Sequence, residues 1–163
     1  MTAVVSIRPT GALSTVDFDD GSSIRCTREF AQRSRIERGQ QIDPVFIDRL
    51  RESASHDLAL HEAQRLAARQ RYSRQEIAVK LQMAGISKQD VDTALDTLEA
   101  QGNLSDYAVA LEIARRSLRL TLERDPDLTW ARYRRLHTRR LSLRGFGMAD
   151  TDASLRQAWS DLE

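Results

Sequence analysis

Arg71-Tyr72-Ser73-Arg74-Gln75-Glu76-Ile77, running on to Leu81 and Gly85-Ile86, is the stretch on which the fold turns. Ser73-x-x-Glu76 is a capping box: the hydroxyl accepts from one free amide of a starting helix while the carboxylate reaches back to another. Ile77, Leu81 and Ala84 then supply a buried stripe, and Gly85 ends the helix where a left-handed residue costs least. A degraded copy returns sixty residues later as Leu141 and Gly145-Phe146, with Arg140 opposite Lys80. Recurrence at a fixed spacing predicts stacked helical modules instead of a pocketed enzyme.

Working outward, Ser87-x-x-Asp90 caps a following helix with Val91, Ala94, Leu95 and Leu98 on one face, closed by Gly102. A preceding helix is expected from about Ala54 to Gln70, with Leu58, Leu60, His61, Leu66 and Ala67 at its apolar positions. These three helices make a first module over residues 54–104. The second module, residues 105–163, starts at Ser105 with Tyr107, Leu111, Ala114 and Leu118, and that helix ends before Asp125-Pro126. Asp127 or Thr129 caps the next helix, which carries Trp130, Tyr133, Leu136 and Leu141 to Gly145. Asp150 or Thr151 opens the last, with Leu155, Ala158, Trp159 and Leu162 facing inward.

Residues 1–53 have another texture. Ala3–Ile7 and Leu13–Phe18 alternate loosely, Pro9 and Gly11 mark a connection, and Asp19-Asp20-Gly21 is a hairpin signal leading into Ser22–Cys26. A two- or three-stranded antiparallel ribbon is expected, too small to stand alone and packed on the helices after it. A short helix over Arg28–Ile36 stops at Gly39, and Asp43-Pro44 opens another through about Arg51. The expected fold is therefore mainly α: tandem three-helix modules with a small N-terminal antiparallel β ribbon.

A composition 40% apolar and 30% charged, with seven Gly and three Pro, fits a folded, helix-rich protein. Cys26 stands alone, so neither an internal disulfide nor a cysteine-rich metal site is available. Its place in a strand predicts an inert, buried thiol. His56 and His61 are five apart, off the four-residue spacing that puts two ligands on one helical face, and His137 is distant. Gly145-Phe146-Gly147 follows a helix and lacks the later glycine and lysine of a phosphate loop. No catalytic, cofactor-binding or metal-binding residue is assigned. The N-terminus lacks the order of a signal peptide and no apolar run has membrane-spanning length, so the expected compartment is the cytoplasm and the expected state a monomer.

Net charge is +1, yet of 25 basic residues only Lys80 and Lys88 are lysines. Genomic base composition explains such a bias, but its physical consequence stands: arginine presents a planar, always-charged fork suited to carboxylates and phosphates. Between Leu128 and Ala149 lie Arg132, Arg134, Arg135, Arg139, Arg140 and Arg144, with no acidic residue. Helical spacing gathers Arg132, Arg135 and Arg139 on the outward face, and the preceding helix adds Arg115, Arg116 and Arg119. A single basic helix is usually a solvated face. Two in one module point to a surface for phosphate backbone or an acidic protein. Trp130 and Trp159 sit at core spacing, so packing outranks base stacking for both.

Ala63-x-x-Leu66, then Tyr72-Ser73-x-x-Glu76-Ile77-x-x-Lys80-Leu81-x-x-x-Gly85, resembles the opening repeat of the RecX family. Leu95-x-x-Leu98-x-x-x-Gly102-x-Leu104-x-Asp106-x-x-Val109-Ala110 continues the likeness, with Val109 where an aromatic is usual and Arg115 at the family's basic position. The match covers about Ala54 to Arg116 and continues more loosely to Trp159. Members usually carry three tandem three-helix repeats; this sequence carries two, and Asp125-Pro126-Asp127-Leu128-Thr129 replaces the glycine-proline entry to the second repeat's middle helix. The resemblance implies a non-enzymatic regulator that lies in the groove of the RecA–DNA filament, limiting strand exchange and co-protease activity. Arg115, Arg116, Arg119, Arg132, Arg135 and Arg139 are the residues expected to meet RecA or its bound DNA. A second reading is a RecA-independent regulator of helix-turn-helix type, with the Trp130–Arg144 helix in a major groove and Arg134, Arg135 or Arg139 reading guanine edges.

Overall fold

The computed structural model describes residues 1–162. Strands β1 (Thr2–Thr10), β2 (Leu13–Phe18) and β3 (Ser23–Thr27) form an antiparallel meander turned at Gly11 and Gly21. Helix α1 (Arg28–Arg33) comes next, ending before Ile36, and a two-residue strand β4 (Gln41–Ile42) pairs with the far side of β1. The ribbon is thus a four-stranded sheet of order β3-β2-β1-β4. Val4, Val16, Phe18, Ile24 and Cys26 alternate onto its buried face, where Phe30 and Ile36 join them. Burial raises the Cys26 thiol above its ordinary pKa, with Asp57 adding to the effect.

Helix α2 (Pro44–Ala67) corrects the expectation of two helices meeting near residue 53. Asp43 caps it through Val45 N and Pro44 occupies its first turn, and Arg51-Glu52-Ser53-Ala54 contains no residue that stops a helix. Its N-terminal half buries Ile47, Leu50 and Ala54 against the sheet; its C-terminal half buries Ala59, Ala63 and Leu66 against later helices. The five-residue step from Ala54 to Ala59 turns the buried face by about 140° at 3.6 residues per turn. One rigid rod therefore serves two cores.

Helices α3 (Arg74–Met83) and α4 (Lys88–Ala100) close around the second half of α2, burying Ile77, Leu81, Val91, Leu95 and Leu98. Ser55 Oγ and Ser87 Oγ both donate to the buried Asp90 carboxylate, at 2.6 and 2.8 Å, and His56 Nδ1 lies against it, joining α2 to α4. Helices α5 (Asp106–Arg124), α6 (Trp130–Leu143) and α7 (Met148–Ser160) surround a third core of Ala110, Ala114, Leu118, Tyr133, Leu141 and Leu155. Trp130 and Trp159 pack against it with ring centroids 5.8 Å apart. Thr129 caps α6, while Gly147 stands at the N-cap of α7 with no side chain to cap it, one turn earlier than Asp150 or Thr151 would have placed the cap. Leu136 and Leu162, expected inside, are 50% and 53% exposed. No helix is long and apolar enough among the described residues to cross a membrane.

Candidate partner-binding surface

The first turn of α3 holds the helical clusters together. Ser73 Oγ accepts from Glu76 N at 3.1 Å, and Glu76 Oε2 accepts from Ser73 N at 2.8 Å, completing the capping box. The same hydroxyl donates to the Arg144 carbonyl at 2.6 Å, one of the orphan carbonyls ending α6. Arg144 returns through its guanidinium, with Nε 2.8 Å from Glu76 Oε1 and Nη2 2.9 Å from Glu76 Oε2. Burial works against the Glu76 charge, but Arg144 and the Ser73 amide outweigh it and hold the carboxyl below its usual range. Arg74 N donates to Asp106 Oδ1 at 2.7 Å, and the Arg74 guanidinium pairs with Asp96 and Glu99 at 2.8 and 2.9 Å. The start of α3 thus contacts the ends of α4 and α6 and the start of α5.

This joint shapes a cleft of about 870 Å³ between α5, α6 and the α2–α3 loop. Helix α5 packs extensively on α7 and sparsely on α6, so the two splay. Ile113, Leu120 and Leu136 form an apolar floor, with Leu120 and Leu136 45% and 50% exposed. Arg71, Arg116, Arg124, Arg140 and Arg144 line the cleft, and no acidic residue among the described residues does. Arg144 is neutralised by Glu76; the other four make no ion pair among the described residues. At one end the Tyr72 ring carries Arg71 and Lys80 at 5.2 and 4.8 Å from its centroid, and hydrogen bonding to Arg71 leads the cationic influences that lower its hydroxyl pKa. His137 lies at the inner wall, 6% exposed, its ring 4.6 Å from Tyr133 and Nε2 3.5 Å from Thr121 Oγ1. Burial, reinforced by Arg140, lowers its pKa and keeps the ring neutral near pH 7.

The six expected arginines are placed as two rows. Arg115, Arg116 and Arg119 share a patch on α5 with Glu112, an acid that the sequence pattern alone did not bring into the row. Arg132, Arg135 and Arg139 are exposed along α6 and do not line the cleft. Arg115 pairs with Asp161 and Arg132 with Asp125, both at 2.7 Å; Arg116, Arg119, Arg135 and Arg139 form no ion pair among the described residues. Arg116 is common to the α5 patch and the cleft. Arg71, Arg124 and Leu120 are not marked by sequence as part of a binding surface, because their meeting depends on how α5 leans on the α2–α3 loop. Leu136, expected in the core, belongs to the cleft instead. The legible signal was its position one turn from Arg140 on a helix otherwise filled by Tyr133, His137 and Leu141.

No family model matches the sequence, and no curated protein matches it. Among solved structures, the crystal structure of regulatory protein RecX aligns with 96% of this chain and 74% of its own, at a TM-score of 0.59 and 18% identity. The chain has the fold of RecX.

Proposed function

We propose that this protein is a RecX-type regulator that binds the RecA–DNA filament and restrains recombinase and co-protease activity, built as tandem three-helix modules over residues 54–104 and 105–163. The observation that carries this reading is the RecX fold along nearly the whole chain, joined to two arginine rows on its second helical cluster, most of whose members lack an acidic partner among the described residues. The repeat reading draws support from matched punctuation. Ser73 and Thr129 cap α3 and α6, Gly85 and Gly145 end them at φ +86° and +84°, and Ile86 and Phe146 come next. Stacked modules can track a helical groove, and guanidinium forks serve DNA phosphates and acidic subunit surfaces alike.

Titrating the protein into RecA ATPase and strand-exchange reactions, beside a DNA-only control, tests the reading. Inhibition at near-stoichiometric protein is the expected result. Reversal of Arg119, Arg135 and Arg139 to Glu, which breaks no ion pair among the described residues, weakens filament association about tenfold or more at low salt while the circular dichroism spectrum is retained. Unaltered binding by that folded variant removes these rows from the interface. Sequence-specific retention on duplex DNA without RecA would instead favour the helix-turn-helix reading.

A further inference from the structure

We propose that the cleft between α5 and α6 receives an acidic amphipathic helix of a protein partner. The inference rests on the partner-binding role above and deepens it by naming the chemistry of one contact. A solvated basic face has no reason to keep Leu120 and Leu136 half exposed at its centre. Here the aliphatic floor is rimmed by Arg71, Arg116, Arg124 and Arg140, which lack acidic partners among the described residues. That pattern complements a helix with aliphatic side chains at i, i+3 or i+4 and i+7 on one face and Asp or Glu along its flanks. The α5 wall from Ile113 to Arg124 is about 16 Å long at 1.5 Å per residue, which matches about three helical turns. Because α5 and α6 splay, the incoming helix lies in the groove that a closely packed pair would close.

A nucleic-acid strand suits the cleft less well. Single strands stack bases on exposed aromatic faces. The His137 ring is 6% exposed and packed on Tyr133, and the Tyr72 ring already faces Arg71 and Lys80. What the floor offers is aliphatic.

The test pans a phage-displayed library of helical peptides, each about fifteen residues or four turns long, against the whole chain. Enriched peptides are then measured by fluorescence anisotropy. Enrichment of acidic peptides with aliphatics at helical spacing is the expected result, with binding falling about tenfold on Leu136→Asp and on Arg140→Glu. Both side chains are exposed, so the variants should keep the wild-type spectrum and melting temperature, which are checked alongside. Replacing the peptide's acids by Lys should abolish binding. The proposal is overturned if no such peptides are enriched or if Leu136→Asp leaves their binding unchanged. It is equally overturned if an oligothymidylate of similar length binds more tightly and loses that binding in Leu136→Asp. Since no RecA is present, failure of the peptide test leaves the filament assay standing, and a failed filament assay leaves the peptide result intact.

Discussion

Ser73 satisfies groups of two helices with one hydroxyl: it accepts from a starting amide of α3 and donates to a terminal carbonyl of α6. A capping serine ordinarily spends only its acceptor. Ser73→Ala therefore strands a donor and an acceptor at a fully buried position and should cost about 2–3 kcal/mol in urea unfolding, above the ~1 kcal/mol of an ordinary cap. Glu76 likewise works twice, closing the capping box and holding Arg144 through two nitrogens. Both side chains keep roughly a quarter to a third of their surface, so water screens part of the attraction. The double-mutant cycle of Glu76→Ala and Arg144→Ala should show a coupling of about 1 kcal/mol. Strict additivity would mean that the guanidinium is held by the Arg71 carbonyl and not by the carboxylate.

At the level of elements, matched glycines separate what a helix needs from what the joint needs. Gly85 and Gly145 both end a helix with positive φ, but a Cβ on Gly85 meets open space, whereas one on Gly145 would lie 2.7 Å from Gln75 Cβ. Gly85→Ala should cost about 1 kcal/mol from backbone strain alone. Gly145→Ala adds a collision between α3 and the α6–α7 turn and should cost about 3 kcal/mol or more, read as a lower urea midpoint at unchanged slope. Equal losses would show that the turn moves freely away from α3. Helix starts and stops in residues 72–146 were legible because Ser, Thr and Gly perform local jobs whose signals are local. The continuity of α2 was not, because its buried face rotates between Ala54 and Ala59 and half of its buried residues are alanines, so no single apolar stripe marks it. The arginine rows were visible as composition. The cleft was not, since it is made by helix splay and by Arg71 and Tyr72 arriving from the α2–α3 loop.

Across the whole molecule, α2 ties the sheet core to the second core, and the Ser73–Glu76–Arg144 joint ties the second to the third. Of the three histidines, His137 is the one among the buried polar residues, set in the third core beside Tyr133 and Thr121 with Arg140 the charge acting on it. Its folded pKa lies below the ordinary value of 6.5, so the unfolded chain takes up this proton more readily. The stability contributed by the neutral ring is therefore fully present above about pH 6.5 and is lost as pH falls from there through the folded value. Glu76 and Asp90, whose carboxyls are held below their ordinary values of 4.5 and 3.8, lose their contributions in a separate window at lower pH. Urea unfolding at pH 8, 6.5 and 5 should therefore show a decline between the last two points. In His137→Gln that decline should shrink, whatever the variant's stability at pH 8. An identical decline in the variant would place the titrating group elsewhere and show that protonated His137 is accommodated in the folded core.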